Sequence, residues 1–293
     1  GHVEPFSGMG VSAVQLLTDT RLRALVRLLD EEEKNVAIVR EHLLRAGEAA
    51  LPYLDEAMRS PDALVRHRAR QIAARLRFSA LREDFVRFAA LSDREMDLEK
   101  GAVLVAQYAY PDLEWGRYAA ELDRIAAGIA KVLRDEMYME DVIDCINEHL
   151  FEREGFRPDN RRFYDPENSY LNRVIERRVG IPISLSVVYL LIARRLDLPI
   201  SGVAVPGHFL VRYDGPYETL WIDPFNEGAI LDREDCEELL RSMGYPVLEE
   251  YLRPCTTRQI IARMLNNLSQ VFDREGDRER AADVKSLVEI LIS

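Results

Sequence analysis

Apolar positions in the first quarter of the chain recur at intervals of three and four, the spacing that lines one face of a helix, and they do so from residue 12 to residue 77. Short breaks fall at Gly47, Pro52 and Ser60-Pro61-Asp62. Within residues 50–76, Leu51, Leu54 and Met58 share one face of a first predicted helix. Ser60-Pro61-Asp62 turns the chain with Asp62 as N-cap, and Leu64, Val65, Ile72 and Leu76 share a face of a second helix. A pair of this kind cannot bury its stripe alone, so stacked neighbours are expected.

Helices continue through residues 78–154: Ser92 is placed to cap a segment reaching Tyr108, Pro111-Asp112 to open the next, and residues 139–154 to form another that stops at Gly155. After Asn160 the period changes and prolines and glycines punctuate shorter segments. Residues 200–205, 208–213 and 219–222 are β-branched or aromatic runs separated by Pro-Gly and Asp-Gly-Pro turns, which predicts a small antiparallel sheet of three or four strands. Between these regimes Pro182 opens a helix whose Leu185, Val188, Ile192 and Leu196 form a stripe expected to pack across that sheet. Beyond the sheet, Asp232 caps a helix ending at Gly244, Thr256 or Thr257 opens one to Glu275, and Gly276-Asp277 leads into a last helix to Ile292. The pattern as a whole predicts an α-dominant α+β fold.

Composition narrows the function. Of 293 residues, 47% are hydrophobic and 31% charged, so disorder as the main state is excluded and two or three packed units are affordable. The net charge of −12 repels polyanions, which argues against nucleic acid as the main partner. Three cysteines, at 145, 236 and 255, suggest neither a disulfide framework nor a zinc site, and a reducing cytoplasm fits them. No run approaches a membrane span, no signal pattern opens the chain, and Gly1-His2 without Met reads as a cloning remnant.

One constellation carries chemistry. Pro182 at a first helical position sets Ser184 in the first turn, where unpaired N–H groups favour an anion. His208 follows Pro206-Gly207 at a strand start and Asp223 ends a neighbouring strand. If residues 208–213 and 219–223 pair so that Tyr213 faces Glu218, His208 and Asp223 lie directly opposite, an arrangement in which an Asp orients a His. The plainer alternatives are a capping hydroxyl at Ser184 and a strand tie between His208 and Asp223. Asn168 and Asn172 offer amides for an oxyanion, or caps for the helix LNRVIERR; Asn226 and Gly228 offer a cleft rim, or a turn. Cys236 comes too late in the chain for a Cys-His-Asp order and reads as a half-buried structural thiol, Cys145 as core. Arg66, His67, Arg68, Arg70, Arg75 and Arg77 read as the solvated face of a repeat helix rather than a phosphate site. With no H-E-x-x-H, P-loop or G-x-G-x-x-G, no metal and no nucleotide or other cofactor is expected.

The run NSYLNRVIERRVGIPISLSVVYLLIARRLDLPISGVAVPGHFLVRY, followed by WIDPFNEGAILDREDC, resembles the SirB-type proteins of bacteria, which carry a transglutaminase-like core of papain-like fold. LPYLDEAMRSPDALVRHRARQIAARL resembles a HEAT repeat, and RQIIARMLNNLSQVFDREGDRERAADVKSLVEILIS has the form of a tetratricopeptide unit. These resemblances imply a HEAT-like region over 1–90, a helical SirB-type region over 91–155, the transglutaminase-like core over 156–250 and a tetratricopeptide-like hairpin over 251–293. They also imply that His208 and Asp223 hold the family's His and Asp positions, with Ser184 on or next to the place of its nucleophilic Cys. Two functions follow: a degenerate cleft that binds a protein or peptide, and a serine-type acyl or amide hydrolase using Ser184, His208 and Asp223. A frame shaped for a thiolate would lower the pKa of a Cys placed at 184.

Overall fold

The computed structural model describes residues 13–293, with side chains from Thr18 onward; Gly1, His2 and Ser12 lie outside them. The described residues divide into two compact units, 13–83 and 84–293.

In the first unit, α1 (Ala13–Arg27), α2 (Glu33–Ala46) and α3 (Leu51–Ala57) are joined by short 3-10 turns, and a turn over 58–62 leads into α4 (Ala63–Ala89), most of which lies in this unit. Asp62 caps α4, accepting the Leu64 N–H at 2.7 Å. Leu29, Val36, Leu43, Leu54 and Ile72 form its core, while Leu51, Met58 and Val65 are half-buried. Leu64, expected in the stripe, is 46% exposed because it stands in the first turn, beyond the covering helices. Arg68 departs from the expected solvated face. Its guanidinium is buried, donating to the carbonyls of Leu29 and Glu31 and pairing with Glu33 at 2.8 Å. With no Pro or Gly after Ala63, α4 continues to Ala89, well past the expected end.

The second unit adds α5 (Leu98–Gln107), α6 (Gly116–Ala130) and α7 (Met139–Asn147), the last continuing as a π turn to Arg153. Asp97, not Ser92, caps α5, accepting from the Lys100 N–H at 2.8 Å. Ser92 instead closes a separate turn on Glu95, and Pro111-Asp112 lies in a turn ahead of α6. Next come β1 (Arg157–Pro158), α8 (Leu171–Arg177), β2 (Val179–Gly180), α9 (Pro182–Arg195) and the strands β3 (Ile200–Val203), β4 (Leu210–Asp214), β5 (Thr219–Asp223) and β6 (Ala229–Leu231). The chain ends in α10 (Arg233–Ser242), α11 (Thr257–Glu275) and α12 (Arg278–Ile292).

The sheet order is β3-β4-β5-β6, antiparallel throughout, with β1 and β2 forming a separate short parallel pair. The hairpin register differs from the expected one. Val211 pairs with Ile222 and Asp214 with Thr219, two residues along, because the Gly215 N–H bonds the Glu218 carbonyl and Asp214 accepts the Thr219 hydroxyl, placing the turn at Gly215-Pro216-Tyr217-Glu218. An even shift leaves each side chain on its face, so the core pattern survives.

α9 is the centre of the unit. No charged residue occurs from Pro182 to Ala193, and all twelve are buried, against β3 and β4 on one side and α6 and α8 on others. The single stripe expected of it is therefore a helix buried all round, with Leu196 half-buried at its C-cap. Cys236, fully buried, joins Val203, Leu210, Trp221 and Leu240 where α10 meets the sheet, whereas Cys145 is only half-buried. The fold is α+β.

Candidate functional site

Asp223 ends β5, and the following Pro224 starts a 3-10 turn whose free N–H groups need an acceptor. The Asp223 side chain provides it: Oδ1 accepts from the N–H groups of Phe225 at 3.0 Å and Asn226 at 3.3 Å. Its Oδ2 faces the other way, accepting the Asn226 side-chain amide at 2.6 Å and lying 2.8 Å from His208 Nε2. Four donors thus converge on a carboxylate that is only 3% exposed. Because a carboxylate only accepts, Nε2 carries the proton, and among the described residues Nδ1 has no hydrogen-bond partner. Phe225 stands edge-on to the imidazole at 6.1 Å, and Phe163 edge-on to Phe225 at 6.1 Å.

His208 is not part of β4. It closes the turn Val205-Pro206-Gly207-His208, its N–H bonding the Val205 carbonyl at 3.1 Å, with Gly207 at φ +74°. The pair therefore meets diagonally, two residues out of the facing register.

Ser184 takes a different path. It is 0% exposed, its Oγ accepting the Ile181 N–H at 3.0 Å and lying 3.3 Å from the Ile181 carbonyl. Pro182 and Ile183 around it are buried as well. Among the described residues no hydrogen bond joins Ser184 to His208. The helix-start serine that reaches toward the histidine segment is Ser186, whose hydroxyl lies 3.5 Å from the Phe209 carbonyl.

Neither upstream asparagine caps α8, whose N-cap, Tyr170, makes no side-chain cap bond. The buried Asn168 amide is drawn to Asp159 Oδ2 at 3.1 Å and to the Arg162 carbonyl at 2.8 Å. Burial raises the Asp159 pKa, but bonds from the Arg162 N–H and Asn168 outweigh it and leave it below the ordinary range. Asn172 is buried inside α8 with Oδ1 unpartnered. Among the described residues no hydrogen bond joins either of them to Ser184, His208 or Asp223.

Asn147 on α7 is a residue that sequence reasoning missed. Its amide donates to the Gly228 carbonyl at 2.8 Å while its Oδ1 accepts from the buried Tyr189 hydroxyl at 3.3 Å, and a Cβ on Gly228 would run into it. It pins the loop that carries Asn226. No local signal marks it, since the two partners are 81 positions apart. An open groove of about 610 Å³ lies alongside, lined by Asp144, Asn147, Glu148, Glu152, Asn226 and Glu227. Among the described residues no group of three or more His, Cys, Asp or Glu side chains is placed to hold a metal ion.

The transglutaminase-like superfamily model matches residues 116–266. The chain belongs to the transglutaminase-like superfamily. The chain is 38% identical over 206 residues to a UPF0162 protein of Xylella fastidiosa, covering 66% of this chain and 71% of that one. It is 30% identical over 197 residues to a UPF0162 protein of Pseudomonas aeruginosa, covering 66% and 72%. It is also 32% identical over 214 residues to the human F-box only protein 21, covering 63% of this chain and 33% of that one. No solved structure matches. All six candidate residues lie inside the transglutaminase-like span, which begins at α6 and ends within α11. Among the described residues no helix is long and apolar enough to cross a membrane.

Proposed function

We propose that this transglutaminase-like protein uses its cleft to bind a protein or peptide and that Ser184 is a helix-start hydroxyl, not a nucleophile. The observation that carries the reading is the burial of Ser184 Oγ, held by the backbone of Ile181 and sealed by Pro182 and Ile183. A nucleophile must reach both a base and a substrate carbonyl, and this hydroxyl reaches neither. The retained pair then shapes and polarises the cleft, with Nδ1 of His208 offered to a ligand.

The second reading, a serine-type acyl or amide hydrolase, is favoured by one observation: the 2.8 Å bond from His208 to Asp223 keeps a general base oriented. Labelling with serine- and cysteine-directed acylating reagents, followed by site mapping, separates the two. The binding reading expects no adduct at Ser184. An adduct there that disappears in His208→Ala would establish the hydrolase.

In the same proposal the chain is of SirB type, with a HEAT-like region over 1–90, a helical SirB-type region over 91–155, the core over 156–250 and a tetratricopeptide-like hairpin over 251–293. Three free cysteines support a cytoplasmic setting. The helical flanks are surfaces suited to protein partners.

A further inference from the structure

The turn that delivers His208 is held from outside the sheet. Arg263, in the second turn of α11, donates from Nη1 and Nη2 to the Val205 carbonyl at 3.3 Å, and from Nη2 to the His208 carbonyl at 3.2 Å. One guanidinium therefore grips the first and last residues of the turn whose internal bond runs from the His208 N–H to Val205.

Arg263 is also half-buried with no carboxylate partner among the described residues, the titratable side chains beside it being those of Cys255 and Tyr245. Burial holds it below the ordinary arginine range. A desolvated cation without a counter-ion is destabilising unless its N–H groups are taken up, and here two backbone carbonyls take them up. The planar fork suits that task, because Nη1 and Nη2 hold two acceptors in a fixed geometry, whereas an ammonium is a point charge on a flexible stem. The rest of α11's start is fitted to the same place. Cys255 donates its N–H to the Gly202 carbonyl of β3 at 2.8 Å, and Ile260 packs so closely on Gly202 that a Cβ there would come within 3.1 Å of Ile260 Cδ1. The superfamily match likewise runs through Arg263 and stops at residue 266, three positions later.

We infer that Arg263 is a positioning residue for His208: by gripping both ends of the turn it sets where the imidazole meets Asp223, which makes the first half of α11 part of the cleft. The inference rests on the reading that the His208 and Asp223 pair is the heart of that cleft.

The test is the exchange rate of the His208 ring N–H, followed by NMR in ¹⁵N-histidine-labelled full-length protein and assigned by its absence in His208→Ala. The wild type should show a slowly exchanging ring N–H. In Arg263→Met that proton should exchange roughly tenfold faster or more, while core amides of α9 keep their protection. Arg263→Lys should fall on the Met side, because charge alone does not bridge two carbonyls; if Arg263→Met fails to fold, Arg263→Lys carries the test on the same criteria. Unchanged ring exchange overturns the proposal, and so does faster exchange matched by equal loss of protection in the α9 amides, which would be global destabilisation. Absence of the protected proton in the wild type would refute the pair itself. Failure of the binding reading shows elsewhere, as acylation of Ser184, a measurement that does not involve this proton.

Discussion

A Cβ on Gly180 would lie 2.7 Å from Ser184 Oγ and 3.1 Å from Leu185 Cγ. The first turn of α9 is thus packed directly on the β2 backbone, and the serine hydroxyl sits in the contact. Glycine is required at 180 for close approach rather than for an unusual φ. Gly180→Ala should therefore push the helix start outward and destabilise the second unit by about 1–3 kcal/mol. Urea unfolding measures it, and a variant as stable as the wild type would contradict the packing.

The same contact changes what a cysteine at 184 should do. From the helix N-terminus alone its thiol is expected to be activated, but burial disfavours the thiolate. The chain's own thiols show the effect: burial pushes Cys236 up to about 12 and Cys255 up to about 11. In Ser184→Cys with Cys145, Cys236 and Cys255 replaced, iodoacetamide at pH 8 should react at least about a hundredfold more slowly than with the urea-unfolded protein. His208→Ala should leave that rate unchanged. Rapid, His208-dependent alkylation would restore Ser184 to the candidate catalytic row.

Asp223 holds two chain segments together through four donors. Asp223→Ala leaves the Phe225 and Asn226 N–H groups and the His208 ring without an acceptor, and should cost about 2–4 kcal/mol. Asn226→Ala removes only the amide bond to Oδ2 and should cost about 1 kcal/mol. Equal effects in denaturant unfolding would mean that the carboxylate is not the organising group.

Glu121 on α6 predicts an acid-limb signature. Bonds from Arg124 and Arg178 outweigh burial and lower its pKa to about 2 from 4.5. A carboxylate depressed in the folded state contributes stability that is present above pH 4.5 and is lost as pH falls from there toward 2. Glu121→Gln should lower stability at neutral pH and flatten the loss over that window, as read from thermal midpoints across pH. Parallel curves for variant and wild type would contradict it.

Much of the architecture was legible along the chain because it rests on local rules. Asp62, Asp232, Thr256 and Asp277 cap helices, and Gly155, Gly244 and Gly276 end them in left-handed conformations, as short-range chemistry dictates. The antiparallel hairpin around Gly215 was readable for the same reason, whereas His208 reaches Asp223 from a turn outside β4, diagonally and two residues off the expected register. What the tertiary structure alone decided is where polar groups end. Asn168 turns to Asp159, Arg68 to the carbonyls of Leu29 and Glu31, Asn147 to Gly228 and Arg263 to the His208 turn, all through partners far apart in sequence or set by packing. Ser184 is the sharpest case. Its place in the first helical turn follows from Pro182, but whether that turn faces a cleft or the protein interior depends on how the rest of the second unit packs around α9, and that packing leaves no mark in the residues it covers.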